Sequence, residues 1–428
     1  MNMAAWIALI FLLSPCVVFM TAGQLLQPNG DCNNQGTICE YKWKVEHRDT
    51  MVTYNETTGS GLPIFRDGDS FYKRNRDSCS ARDPLSDLEK DKVITADGTY
   101  RSAIVINGEL PGPPIIVNNG TQVVVHVTND LMMEGITIHW HGMVQRNTPW
   151  MDGVAGVSHC PINPGETFTY RFLATPPGTH WYHSHLGTQR TDGLYGALIV
   201  LPPEETVEVK ETTDPDYEGE FIMILHDWMR DISLDINNRI LWEMQRFYPG
   251  YGTTSSCFYQ TKQSDGTEIG VTPFRSGLIN GKGLFYPYER SPRRDVIDNN
   301  LIPMEIFTVK RPLSYRFRVI NAAMIYAFRV SIDKHKLHVI AVDGNRVRTV
   351  IADEVIINSG ERFDFYIETT EFANNFWIRA TTLETSDING NTVYPGHVEA
   401  ILHYDAAPAE AGRRPRQLSV LKLVIVLL

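Results

Sequence analysis

Cysteine is scarce in this chain, with six in 428 residues (Cys16, Cys32, Cys39, Cys79, Cys160 and Cys257) and none after position 257. That excludes a small disulfide-dense scaffold. It also leaves the sequence beyond Cys257 without a thiolate for a metal. Clustered basic residues are missing as well. Lys and Arg total 39 against 50 Asp and Glu, a formal net charge of −11, and no long basic run interrupts it. Nucleic acid is therefore not a partner, because phosphate binding needs grouped Lys and Arg. Long apolar runs are absent too. The stretch from Ala4 to Met20 is broken by Ser14 and Pro15, and LSVLKLVIVLL at 418–428 is too short to span a bilayer.

What is present is ordinary globular composition, 43% hydrophobic and 21% charged, in a length that suggests two or three domains. Residues 1–23 read as a secretory signal peptide. Its removal leaves five cysteines, and in an oxidising compartment an odd number predicts two disulfides and one thiol with its partner elsewhere. The sequons at Asn55 and Asn119 suit a secreted, extracellular glycoprotein.

Residues 24–92 are read as a Cys-containing extension. After it come short runs of Val, Ile, Tyr and Phe with period 2, such as PPIIVNNGTQVVVHVTND, ETFTYRFLA and YGALIVLP, punctuated by Gly, Pro and Asn. These predict antiparallel strands in a β-sandwich, a first domain over 93–203. PPEETVEVKETTDPDYEGE contains a linker, 204–219, and a second strand set fills 220–405, with a polar surface loop near 250–275. The two sets echo each other about 190 residues apart. PPIIVNNGTQVVVHVTND answers to PMEIFTVKRPLSYRFRVINA, PGETFTYRFLA to SGERFDFYIET, and THWYHSHLG to NNFWIRATT. This predicts a duplicated all-β domain.

Only the first copy carries His-x-His, at His139/His141 and His183/His185. On a strand, residues i and i+2 share a face, so each pair projects together while Trp140 points the other way. A lone pair of this kind is usually part of an aromatic patch. Two pairs in one domain, absent from its duplicate, point to four imidazoles around a metal, although imidazole alone does not choose among copper, zinc, iron and nickel.

IHWHG at 138–142, DGVAGVSHCPI at 152–162, GTHWYHSHLG at 178–187 and DGLYGALIV at 192–200 resemble the multicopper oxidases, most of all the laccases of animals. LPGPPI at 110–115, LINGKG at 278–283, YRFRVIN at 315–321 and the ERFDF core near 360 resemble the same family's first and middle domains. The resemblance implies two tandem cupredoxin-like Greek-key sandwiches after the signal peptide. It also implies a three-copper cluster that reduces dioxygen to water with electrons from phenols or diphenols. On that resemblance His139 ligates the type 2 copper, and His141, His183 and His185 ligate the type 3 pair. Asp152 takes the place of a carboxylate that supports proton delivery; its plainer reading is a turn residue before Gly153. His159 and His180 are expected to be structural, and His126, His226, His335, His338, His397 and His403 have no ligand context.

The family cluster uses eight histidines, four of them from a third domain that also supplies the cysteine of the type 1 blue copper. No HPxHxHG motif occurs here, no further His-x-His follows His185 and no Cys follows Cys257. The expectation is a truncated laccase-type chain that keeps half the cluster ligands, lacks the type 1 site, and is inactive unless a third domain or partner chain completes it. The alternative is a non-catalytic secreted copper-binding or structural protein. A cluster built between two copies is discounted, because the second domain offers no ligands. The divergent tail, 406–428, is read as the end of a truncated or alternatively spliced product, with a GPI signal as the lesser reading and the only route to a membrane.

Overall fold

The computed structural model describes residues 24–202, 215–236, 274–285, 302–387 and 395–405, with breaks at 34–35, 56, 68–69, 75–81 and 230. It also describes 238, 260–263, 268–270, 407 and 424–425. Residues 1–23, read as a signal peptide, lie outside the described residues, as do Cys79, Cys257, most of 204–219, read as a linker, and most of 406–428.

The predicted alternation builds two β-sandwiches. In the first, Ile38–Asp49, Gln122–Asn129, Thr167–Leu173 and Ser102–Ile106 form one sheet together with the short Asp31–Cys32. Ile138–His141, Gly178–Ser184, Tyr195–Leu201 and Gly112–Asn118 form the other. The β-branched runs place Val123, Val125, Val127, Ile115, Val117, Leu198 and Val200 between the sheets. Trp140 enters the same core, fully buried, with its ring 4.7 Å from Phe172 and 5.2 Å from Tyr170.

The second sandwich repeats the topology pair by pair. In the first, Ile38–Asp49 runs parallel to Gln122–Asn129, which pairs antiparallel with Thr167–Leu173. In the second, Gly219–Trp228 runs parallel to Ser314–Asn321, which pairs antiparallel with Arg362–Glu368. Ile138–His141 against Gly178–Ser184 has its counterpart in Phe328–Ile332 against Asn375–Thr381. The parallel pair Gly112–Asn118 and Tyr195–Leu201 matches Ile306–Val309 and His397–Tyr404.

This corrects the reading of 24–92 as an extension ahead of the first domain. Ile38–Asp49 lies at the centre of the first domain's sheet, hydrogen-bonded to strands on both sides. The remainder, Val52–Tyr54 to Arg82–Pro84 and the capped helix Asp87–Lys92, is an insertion between two strands of that sheet. The polar stretch read as a loop near 250–275 contains two strands. Gln260–Gln263 and Glu268–Gly270 make a small sheet with Glu384–Asp387, whose polar sequence hides its pairing. Among the described cysteines, Cys32 and Cys39 form a disulfide and Cys160 is free and exposed.

The two sandwiches meet over Ile116, Trp181, Tyr195, Ala197 and Ile199 of the first and Ile224, Ile320 and Ala322 of the second. His226 lies in this seam, fully buried, stacked 4.5 Å from Tyr195, with Nε2 3.2 Å from the Arg190 carbonyl. Burial pushes its pKa from 6.5 down to about 3. The unfolded chain therefore takes up this proton below about pH 6.5, whereas the folded chain stays neutral at that position until about pH 3. Stability is lost as pH falls through that window, by roughly 1.4 kcal/mol per unit from this group. Replacing His226 with Gln should remove one proton's worth of that slope, read from urea midpoints between pH 7 and pH 4.5. An unchanged slope would show that His226 titrates normally.

Candidate metal centre

The register across the first domain's second sheet sets His139 opposite His183 and His141 opposite Trp181. Because Trp140 and Tyr182 point into the core, the imidazoles stand on the other face. Ring centroids lie 5.5 Å apart for His139 and His141, 5.3 Å for His139 and His183, and 5.7 Å for His141 and His183. One ligand atom from each of these three lies within 4.8 Å of the others, close enough to share an ion. His185, one residue past the strand and exposed, places its ring 5.4 Å from His139 and 5.9 Å from His183.

Local contacts set which nitrogen faces the centre. His139 Nδ1 donates to the Asp152 carbonyl at 2.8 Å, and His183 Nδ1 to the Ser184 carbonyl at 2.8 Å. Each bond leaves the Nε2 lone pair for a ligand. His183 Nε2 is buried and has no hydrogen-bond partner among the described residues. A buried acceptor left unpaired costs about 1–3 kcal/mol, and a metal ion would satisfy it. Burial holds His139 and His183 below the ordinary imidazole range and takes His141 to about 3, with the nearby Arg362 adding to the effect at His141. Neutral imidazoles are the form that ligates metal.

Asp152 closes the short helix Pro149–Met151 and reaches His139 twice, through its carbonyl and through a carboxylate oxygen 3.5 Å from Nδ1. It is thus both a turn residue and a neighbour of His139. Gly153 follows at φ +77°, and a methyl group there would come within 1.8 Å of the Ile138 carbonyl oxygen, so the turn can approach the His139 strand only without a side chain.

Three neighbours were not legible from the motifs. Trp181, fully buried, lies 4.2 Å from His183 and 5.1 Å from His141. Arg190 crosses to the second domain, donating to the Ala323 carbonyl at 3.1 Å. Arg362 reaches in the opposite direction, from the second domain to the Thr179 carbonyl at 3.1 Å. The histidines assigned no ligand role have other partners. His159 stacks on Tyr170, His180 bonds the Pro176 carbonyl, His335 bonds Tyr404 and His403 bonds Asn375.

A β-sandwich with this histidine cluster on one face has the ligand types of a metal-binding protein. Profiles described as Multicopper oxidase match residues 87–205 and 251–407, and the chain belongs to that family, with two cupredoxin-like domains. It is 36% identical over 285 residues to an L-ascorbate oxidase of Cucurbita pepo var. melopepo, covering 65% of this chain and 46% of that protein. It is 33% identical over 332 residues to Laccase-2 of Botryotinia fuckeliana, covering 76% and 50%. Among solved structures, the L499M mutant of the laccase from B. aclada aligns with a TM-score of 0.62 and 27% identity, over 90% of this chain and 55% of that one. The chain thus spans about half the length of the curated relatives it matches.

Proposed function

We propose that His139, His141, His183 and His185 hold copper as one half of a multinuclear site. In this reading the chain serves a laccase-type oxidation of phenols or diphenols by dioxygen, with a further domain or partner chain furnishing the opposing ligands. The buried, unpartnered Nε2 of His183, aimed where the other imidazoles converge, carries this reading. Bound copper would supply one-electron redox chemistry toward dioxygen. The chain's own residues do the rest. Asp152 orients His139 and places a half-exposed carboxylate beside it, where it can hand on a proton, and Trp181 excludes water from the seam side of His141 and His183. On the reading of residues 1–23 as a secretory signal, the protein is proposed to act outside the cell.

A second reading, a secreted copper-binding protein without turnover, draws on the cysteines. The described ones are a disulfide pair and one exposed thiol, and no Cys stands in a type 1 copper motif. Both readings require the same site. Copper retained after desalting should fall at least about tenfold in His141→Ala and His183→Ala, as expected on losing a ligand, and stay unchanged in His335→Ala. Equal loss from all three variants would mean the site is elsewhere.

A further inference from the structure

His139 and His183 are each held by a hydrogen bond from Nδ1 to a backbone carbonyl. His141 makes no hydrogen bond among the described residues, and its orientation rests on packing. Trp181 stands 5.1 Å away on one side. Gly360, from the second domain, is also beside it: a methyl group there would lie 3.4 Å from His141 Cε1, in ordinary van der Waals contact.

Arg362 controls that approach. Its Nε donates to the Thr179 carbonyl at 3.1 Å, its Nη1 to the Gly360 carbonyl at 3.2 Å, and its Nη2 to the Asp343 carbonyl at 3.3 Å. An ion pair to the Asp343 carboxylate at 2.9 Å steadies the fork. One planar group thus ties the strand carrying His183 to the loop packed on His141. It also abuts the turn that follows His141. A methyl group on Gly142 would come within 3.0 Å of Arg362 Nη2 and 2.2 Å of His180 Nδ1.

We propose that Arg362 is a positioning residue for the copper half-site, fixing the His141 imidazole from the second domain in place of the carbonyl bond that the other two histidines have. The inference rests on the reading of the site given under Proposed function. It assigns the second domain, whose described residues include none of the proposed ligands, a task in metal binding. A rigid five-donor guanidinium suits this task, and a lysine reproduces only part of it.

Arg318 supplies the control. It donates to the Thr179 side chain at 3.0 Å and is anchored by Glu220 and Asp364, so it braces the same strand from the same domain without touching the His141 loop. The test is Cu(II) titration of the full chain with electron paramagnetic resonance, on wild type, Arg362→Met, Arg362→Lys, Arg318→Met and His183→Ala. Arg362→Met should weaken Cu(II) binding about tenfold, the scale of an outer-shell loss, and change the copper hyperfine splitting. Arg318→Met should lower the unfolding midpoint while leaving the spectrum as in wild type, and Arg362→Lys should recover part of the affinity. If Arg362→Met fails to fold, Arg362→Lys against Arg318→Lys makes the same comparison.

Identical spectra and affinities for the Arg362 and Arg318 variants would overturn the positioning role and leave the copper site standing. Wild-type copper uptake that survives His183→Ala intact would instead overturn the site, and the positioning role with it.

Discussion

Loaded with copper, the 428-residue chain is expected to oxidise a diphenol no faster than free copper at the same concentration, and to show no intense blue absorption. Blue-copper sites need a cysteine thiolate beside two imidazoles. Here Cys32 and Cys39 are spent on a disulfide, Cys160 is exposed and stands in no His-x-His pair, and no cysteine follows Cys257 in the sequence. His139, His141 and His183 come from one sheet of one domain and His185 directly follows its strand Gly178–Ser184, so an ion held there is ligated from one side only. Joining a family third domain, with its HPxHxHG and cysteine-bearing motifs, after Tyr404 should produce both the blue band and turnover, a gain of several orders of magnitude. Oxygen uptake with a diphenol and visible absorption are the measurements. Turnover by the 428-residue chain that disappears in His139→Ala would show that the resident ligands suffice.

The second large effect is on stability. Asp364 is 1% exposed and pairs with Arg316 at 2.7 Å and Arg318 at 3.3 Å, and Arg318 also pairs with Glu220. Burial alone would raise the Asp364 carboxyl, but the two guanidiniums more than offset it and hold it below the usual carboxylate range. Removing it leaves buried positive charge short of a partner, the situation that costs about 3–5 kcal/mol. Asp364→Ala should therefore lower the denaturant midpoint sharply, with Asp343→Ala, at the 43%-exposed end of the Arg362 pair, costing far less. Adding Arg316→Met to Asp364→Ala should recover part of the loss, because it withdraws one of the stranded charges. Equal midpoints for Asp364→Ala and Asp343→Ala would mean that water reaches the network.

Much of this site was legible in the sequence for a local reason. Alternation along a strand decides which side chains share a face, so IHWHG already separated His139 and His141 from Trp140, and the structure buries Trp140 while leaving both imidazoles on the outer face. The duplication was readable for the same reason, since each copy keeps its own period-2 runs. The Ile38–Asp49 strand was misassigned although its alternation is clear. Its partners are Gln122–Asn129, in parallel, and Ser102–Ile106, and a pairing that distant leaves no mark in the neighbouring sequence.

The sequence by itself determined that four histidines stand in two same-face pairs, that only one of the two domains carries them, and that no cysteine joins them in a blue-copper motif. Tertiary structure alone decided how near those pairs come, which nitrogen of His139 and His183 is free, and that burial holds His139, His141 and His183 from protonation. Those properties depend on groups remote in the chain. The Asp152 carbonyl reaches His139, and Trp181 lies beneath His141 and His183. Gly360 and Arg362 arrive from the other domain. Periodicity is written residue by residue, whereas desolvation and hydrogen-bond partnership exist only once distant segments share the same few ångströms.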